Sequence, residues 1–230
     1  MHWIIEDNVA GQMSRSLVRS GDLLVDEASS SSTCELSIGC VVAITSADHD
    51  KLQFVFARKA AKPVTDLYIF GGQWVLPGGM VRSNRQAEFD ALQMIVTSAC
   101  TRVQAETGIS LPIESLRPVQ HVPPVTTYRA RGQDRVVIVV PLECVVALNM
   151  PSELQSGDSS IDKVELAEPR DRISTCAPAN RVIVARMVWK SLSAADRDLL
   201  SPCVTAAIEE CNNLASRHGF PLIPLLHSWN

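Results

Sequence analysis

The pattern of apolar and polar residues predicts a run of β-strands in the first two thirds of the chain. Residues 35–45 are almost continuously apolar, as in a strand buried on both faces, and residues 52–58 alternate, so the two segments predict a hairpin. Residues 135–148 are the most hydrophobic run and are rich in valine and isoleucine, which indicates a central strand. Because proline has no N–H for the ladder, we expect a bulge or a change of strand at Pro141. Two shorter strands are expected at residues 116–122 and 161–166.

The last part of the chain predicts helices. Residues 180–192 and 193–218 carry apolar residues at helical spacing. Ser193 is a suitable N-cap for the second helix, and Pro202 is expected to restart it as a first-turn proline. The apolar tail at residues 220–229 is expected to dock either on its own domain or across a homodimer interface.

The middle of the chain predicts a strand, a glycine pair and a helix in direct succession. Residues 74–76 predict a short apolar strand that Pro77 ends, and Gly78 and Gly79 after it predict a turn. Gly108 stands where a helix C-cap prefers glycine. Such a unit can hold a phosphate or a metal ion against a rigid helix. The apolar face of the helix is predicted from five residues at spacings of three and four, namely Leu92, Ile95, Val96, Ala99 and Val103.

Two short motifs in this unit, LPGG at residues 76–79 and ETGI at residues 106–109, resemble the Nudix box. In that family the box reads G-x5-E-x7-R-E-U-x-E-E-x-G-U, where U is a bulky aliphatic residue, and its helix glutamates hold Mg²⁺ or Mn²⁺ against a diphosphate. The resemblance covers about residues 35–168 and implies an α/β/α sandwich with a mixed sheet, with extra N-terminal and C-terminal helices. It divides the chain into an N-terminal helical arm with a Ser-rich linker, residues 1–34, and a Nudix-like domain with a C-terminal helical extension, residues 35–230.

This copy of the box departs from the family pattern at the positions that bind the metal. Counted back from Gly108, the first glutamate position holds Arg102. The glutamate pair is Ala105 and Glu106, so one metal-binding acid of three remains. An insertion of eight residues widens the box. The resemblance implies that Glu106 is the metal ligand and a catalytic residue, with Mg²⁺ or Mn²⁺ bound weakly or not at all.

Arg102 and Glu106 lie four residues apart on one helix face, and this spacing predicts a direct ion pair. A guanidinium group binds phosphate oxygens in a bidentate way, so Arg102 could face the phosphates of a ligand and reduce the need for a metal. Alternatively, the pair is an ordinary surface salt bridge, worth less than about 1 kcal/mol, on an enzyme that has lost its activity.

Acids outside the box helix could complete the site. The resemblance implies an acid on the strand expected at residues 161–166, and Glu165 is the candidate for a second metal ligand or a general base. Asp158 and Asp162 are further candidates. A solvent-facing charge is the alternative for each of them. The insertion supplies two more acids, Glu88 and Asp90.

The resemblance also implies a phosphorylated small molecule or a nucleotide as the ligand. Gly78, Gly79 and Arg102 would contact it at the box. Arg129 stands in a predicted loop and would contact an anionic group, or else remain a solvated loop charge. Tyr68 is a candidate for stacking on a base, whereas Trp74 nearby is better explained as a core residue.

Composition excludes several other classes of function. The formal net charge is −4 and no basic block occurs, which argues against a nucleic acid as the partner. No apolar run approaches the roughly 18 residues that a membrane span requires, so no membrane association is expected. The N-terminus carries acids where a signal peptide has basic residues, so a cytoplasmic location is expected.

The seven cysteines lack the spacing of a zinc site. No C-x-x-C pair occurs, and none of the five histidines stands at metal-ligand spacing. Several of the cysteines lie in apolar segments, so buried free thiols are expected.

Three functions remain open on the sequence alone. The first is metal-dependent hydrolysis of a nucleoside diphosphate linked to another moiety, weak or lost because acids of the box are replaced. The second is a non-catalytic module that binds a nucleotide or phosphate and regulates another process. The third is metal-free chemistry on a phosphorylated small molecule.

Overall fold

A mixed sheet of eight strands forms the centre of the computed structural model, which describes residues 35–46, 52–61, 70–81, 91–120, 122–128, 135–146, 154–220 and 222–229. The strands are β1 (Glu35–Ser46), β2 (Phe54–Lys59), β3 (Trp74–Val75), β4 (Gly78–Met80), β5 (Arg117–Pro118), β6 (Val125–Tyr128), β7 (Arg135–Val146) and β8 (Ile161–Ala167). The predicted arm at residues 1–34 lies outside the described residues and stays a prediction.

Helices lie on both sides of this sheet. They are α1 (Ala91–Thr107), α2 (Pro169–Arg172), α3 (Pro178–Val188) and α4 (Ala194–Arg217). Single 3₁₀ turns lie at Ile113–Ser115, Ile173–Thr175, Trp189–Ser191 and Leu226–Trp229. Within the described ranges, no helix has the length and apolar character that crossing a membrane would require.

The two longest strands, β1 and β7, are parallel neighbours over their full lengths. Glu35 lies opposite Arg135 at one end and Ser46 opposite Val146 at the other. All other pairings are antiparallel: β4 and β2 pair with β1, β3 and β8 pair with β2, and β5 and β6 pair with β7. The strands nearest the glycine pair are therefore β1 and β2, and these two strands position the site.

Alternating residues of the central strands fill two hydrophobic cores. On β1, Ile38 and Val42 face the core that contains α1, whereas Val41 and Ala43 face the core that contains α3 and α4. This period of two is the one expected of a strand buried on both faces. The expected α/β/α sandwich with a mixed sheet is confirmed.

Helix α1 has the face and the C-terminus that its sequence predicts. The five apolar residues of the predicted face are all buried. Gly108 follows the helix with a φ of 78°, the left-handed value that a C-cap requires. The backbone N–H groups of Gln155 and Gly157 donate to the carbonyls of Thr107 and Ala105, so the segment before β8 is bonded to the helix end.

The bulge or change of strand expected at Pro141 is wrong. Strand β7 runs through this residue without a break, with Pro141 opposite Val41 of β1. The Pro141 carbonyl accepts a hydrogen bond from the Val119 N–H on the other edge of β7. The Pro141 nitrogen faces that same edge, along which β7 pairs first with β6 and then with β5. The hydrogen-bond ladder between β7 and β1 therefore loses no bond at this proline.

Two further expectations need correction. Residues 125–128, which the sequence predicts as part of the loop that contains Arg129, form strand β6 against β7. The predicted restart at Pro202 does not occur, because α4 continues through this proline. The N-cap is as expected, since the Ser193 side chain accepts a hydrogen bond from the Asp196 N–H at 3.1 Å.

The apolar tail docks on its own domain. Trp229 is buried against Trp189 with ring centres 5.9 Å apart, and Asn212 exchanges two hydrogen bonds with the Ile223 backbone. These contacts fix the tail against α4 without a second copy of the chain.

Alkylation is expected to modify the partly exposed thiols faster than the buried ones. Burial raises the pKa of Cys40, Cys176 and Cys211 to about 12 each, so almost none of these thiols is ionised near neutral pH. In native protein treated with iodoacetamide at pH 8, peptide mass spectrometry should find the partly exposed Cys203 modified well before these three. Labelling of Cys40 at the rate of Cys203 would contradict the prediction, and urea-unfolded protein provides the control in which all sites react.

Candidate functional site

Glu106 is fully buried at the end of α1 and accepts three hydrogen bonds from residues that the structure describes. Its Oε1 accepts from Lys59 Nζ at 3.0 Å and from Arg102 Nη2 at 3.0 Å. Its Oε2 accepts from the backbone N–H of Gly78 at 2.9 Å. The carboxylate therefore joins α1 to β2 and β4, and its two positive neighbours distinguish it from an ordinary surface ion pair.

Arg102 continues this network to a second acid. Its Nη2 also donates to Asp158 Oδ2 at 2.9 Å, in the segment before β8. Partial burial would raise the pKa of Asp158, but hydrogen bonds from Ser160 and the charge of Arg102 outweigh burial and lower it. Burial would lower the pKa of Arg102, but the charges of Glu106 and Asp158 outweigh burial and raise it. The group Lys59, Arg102, Glu106 and Asp158 has no net charge.

The glycine pair lies in strand β4 and does not form the predicted turn. Gly78 and Gly79 pair with Val41 and Cys40 of β1. A Cβ on Gly78 would lie 2.1 Å from the carbonyl oxygen of Cys40, and a Cβ on Gly79 would lie 2.7 Å from Arg102 Nε. Position 78 needs glycine because the backbone of β1 approaches so closely, whereas a side chain at position 79 would require the Arg102 side chain to shift.

Lys59 is a site residue that sequence reasoning missed. It is the last residue of β2, where the pairing with β8 shifts register between Arg58 and Lys59. Lys59 lies on the same face of β2 as Val55, which packs in the α1 core, and it reaches Glu106, while Arg58 on the opposite face pairs with Asp162 at 2.7 Å. The sequence carries no signal for this contact beyond a lysine at a strand end, because Glu106 lies 47 positions further along the chain.

An apolar cleft opens beside β4. It contains about 690 Å³ of space between atoms, part of it open to solvent. Lys59 lines its wall close to Glu106, and Phe70, Met80 and Tyr128 contribute larger side chains. The cleft therefore combines an apolar wall with one lysine, next to the network around Glu106.

Asn180, at the start of α3, is a second polar residue that the sequence did not single out. Its side chain lines the cleft, and its Oδ1 accepts a hydrogen bond from the Leu76 N–H at 2.8 Å. Asn180 thereby holds the strand before the glycine pair against α3.

The structure does not bring Glu165 to Glu106. Val164 and Leu166 of β8 pack against the α1 core, so Glu165 points to the opposite face of the sheet. There it pairs with Lys163 at 2.6 Å and with Arg172, and hydrogen bonds from both outweigh partial burial and lower its pKa.

Trp74 is buried on the same face as Glu165. Three cations of the described part of the chain lie over its ring, with Arg58, Lys163 and Arg172 at 5.7, 5.6 and 4.9 Å from the ring centre. Trp74 is therefore a core residue under a cation cluster, as expected of it.

Several predicted site residues lie outside the described residues. They are Tyr68, Glu88, Asp90 and Arg129, whose assignments stay predictions.

The residues around Glu106 do not fit a divalent cation. Both oxygens of Glu106 already accept hydrogen bonds, and a bound metal would lie against the charges of Lys59 and Arg102. Mg²⁺ and Mn²⁺ prefer several oxygen ligands, with carboxylates as the charged ones. In the part of the chain that the structure describes, no group of three or more His, Cys, Asp or Glu side chains could hold a metal ion.

The fold is that of solved Nudix structures. A NUDIX hydrolase from Alicyclobacillus acidocaldarius matches with a TM-score of 0.52 at 10% identity, covering 69% of this chain and 93% of that chain. The MutT protein from Methanosarcina mazei matches with a TM-score of 0.49 at 17% identity, covering 71% of this chain and 100% of that chain. The NUDIX domain of Shewanella oneidensis NrtR, complexed with ADP ribose, matches with a TM-score of 0.49 at 12% identity, covering 74% of this chain and 94% of that chain. No protein-family model and no curated protein matches the sequence.

Proposed function

We propose that this protein is a non-catalytic module that binds a phosphorylated small molecule of nucleotide type in the cleft beside β4. The observation that carries the proposal is the closed hydrogen bonding of Glu106 by Lys59, Arg102 and the Gly78 N–H. A carboxylate satisfied in this way is a poor ligand for Mg²⁺, which dehydrates reluctantly and demands near-octahedral oxygen coordination. Metal-activated attack of water on a diphosphate is therefore not expected.

The lining of the cleft supports a ligand with a planar base and a phosphate. The side chains of Phe70 and Tyr128 are aromatic, and stacking of a base on an aromatic ring contributes about 1–3 kcal/mol. The Lys59 ammonium has three N–H donors, of which Glu106 takes one. Lys59 can thus bind a phosphate oxygen at the polar side of the cleft while it keeps its bond to Glu106.

Hydrolysis of a nucleoside diphosphate linked to another moiety is the second candidate. It is favoured by the survival of Glu106 at a metal-binding position of the box and by its contact with Gly78. Turnover by this route would require a metal ion to displace Lys59 or Arg102 from the carboxylate.

Ligand binding is expected to survive removal of divalent metal. The protein is titrated by calorimetry with ADP-ribose, nucleotide sugars, dinucleotides and nucleoside triphosphates, in Mg²⁺, in Mn²⁺ and in EDTA. We expect the same affinity in all three conditions and no hydrolysis product by chromatography. Lys59→Met should weaken binding about tenfold or more by removing the phosphate contact.

Lys190→Met provides the matched control, because Lys190 is exposed and lies away from the cleft. Equal effects of the two lysine substitutions, or no binding to any member of the panel, would overturn the proposal. Turnover in Mg²⁺ or Mn²⁺ that Glu106→Gln abolishes would establish the second candidate instead. The assays with Glu106→Gln are run well below its unfolding temperature.

A further inference from the structure

One nitrogen of Arg102 bridges two carboxylates from different parts of the chain. Nη2 donates to Glu106 Oε1 on α1 at 3.0 Å and to Asp158 Oδ2 before β8 at 2.9 Å. The two oxygens are therefore no more than about 6 Å apart, and a divalent ion that bonds carboxylate oxygens at about 2.0–2.6 Å needs them only somewhat closer. In this respect the guanidinium stands where a cation shared by two acids would stand.

The fold makes room for the Arg102 side chain. An alanine Cβ at position 79 would lie 2.7 Å from Arg102 Nε and 3.3 Å from its Cδ. Among the described residues, Arg102 Nε is a buried nitrogen without a hydrogen-bond partner, so the side chain is held by packing and by its Nη2 bonds. An arginine on the surface that extends into solvent would need neither a glycine at position 79 nor a buried Nε.

Among the described residues, the charges paired with Arg102 and Glu106 balance without an added ion. Glu106 and Asp158 contribute two negative charges, and Lys59 and Arg102 contribute two positive ones. A divalent cation added to this group would leave it with two excess positive charges. Removing Arg102 would leave two acids and one lysine, an arrangement that attracts a cation.

We propose that Arg102 is the built-in cation of a two-carboxylate site, and that Glu106 and Asp158 bind a divalent metal ion once Arg102 is removed. In the wild-type protein the Arg102 guanidinium, which is covalently part of the chain, takes the place of a bound metal ion. Metal binding by Arg102 variants is measured without ligand, so its outcome is independent of whether the proposed binding function holds.

The test measures metal binding directly. Mn²⁺ is titrated into wild type, Arg102→Ala and Arg102→Ala/Asp158→Asn, and free Mn²⁺ is read by electron paramagnetic resonance. We expect about tenfold tighter binding of one Mn²⁺ per chain by Arg102→Ala than by wild type, and loss of this gain in the double variant. In parallel, Mn²⁺ should raise the unfolding temperature of Arg102→Ala relative to EDTA, while wild type shows no change.

Arg102→Lys is the matched control, because it keeps a positive charge and should not gain Mn²⁺ affinity. If Arg102→Ala is insoluble in both EDTA and Mn²⁺, Arg102→Gln is used in its place. The glutamine removes the charge of Arg102 and keeps a hydrogen-bonding group. Folded Arg102→Ala or Arg102→Gln that binds Mn²⁺ no better than wild type would overturn the inference. Stoichiometric Mn²⁺ binding by wild type that is lost in Glu106→Gln would overturn it as well.

Discussion

Replacement of Gly78 by alanine is expected to lower the free energy of unfolding by about 3 kcal/mol or more. The added Cβ would lie 2.1 Å from the Cys40 carbonyl oxygen and 2.8 Å from Val41 Cα, both backbone atoms of the central strand β1. Backbone in a buried strand cannot move aside as a flexible side chain can, so β4 must separate from β1. That separation would also weaken the hydrogen bond from the Gly78 N–H to Glu106.

Urea unfolding of three glycine variants checks this prediction. Gly157→Ala is the control, because its Cβ would meet the Ala105 carbonyl oxygen at an ordinary 3.6 Å, and a change within about 0.5 kcal/mol is expected. Gly79→Ala should fall between the two, since its Cβ meets the side chain of Arg102, which can shift. If Gly78→Ala lowers the free energy of unfolding no more than Gly157→Ala does, β1 does not constrain position 78.

Removal of the charge of Glu106 is expected to cost about 2–3 kcal/mol of stability in Glu106→Gln. The amide leaves Lys59 and Arg102 without their shared counter-charge, and it presents an N–H₂ group to N–H donors that need an acceptor. Loss of one partner of a fully buried ion pair costs about 3–5 kcal/mol. We expect less here because the side chains of Lys59 and Arg102 keep 18% and 32% of their surface exposed, so water screens part of their charge.

Glu114→Gln is the control for this variant, because Glu114 is an exposed glutamate on the 3₁₀ turn after α1. A change within about 0.5 kcal/mol is expected for it. The free energies of unfolding are measured in urea at pH 7. If Glu106→Gln and Glu114→Gln lower this free energy equally, Glu106 does not hold α1 to β2 and β4.

The parts of the fold that follow from local patterns could be predicted from the sequence. Continuous or alternating apolar residues predict the central strands, and apolar residues at helical spacing, followed by Gly108, predict α1. What the patterns missed depends on neighbours that are distant in the chain. A proline is tolerated inside β7 because of which edge its nitrogen faces, and residues 125–128 form a strand because β7 offers them an edge.

The candidate site could be predicted only along the helix. The spacing of Arg102 and Glu106 on one helix predicts their ion pair, which the structure contains. Lys59 reaches Glu106 from the end of β2, and Asp158 reaches Arg102 because the segment before β8 is bonded to the end of α1. Neither contact follows from local spacing, since each joins α1 to a strand or segment at least 47 positions away in the chain.

The long parallel ladder between β1 and β7 has a consequence for how the chain folds. Its partners, from Glu35 with Arg135 to Ser46 with Val146, are about 100 positions apart, so a large loop must close before any of these hydrogen bonds can form. Proteins dominated by such distant contacts cross their folding barrier in about milliseconds to seconds, more slowly than helical bundles. Refolding followed by stopped-flow fluorescence of the buried tryptophans should therefore fall in this slower range.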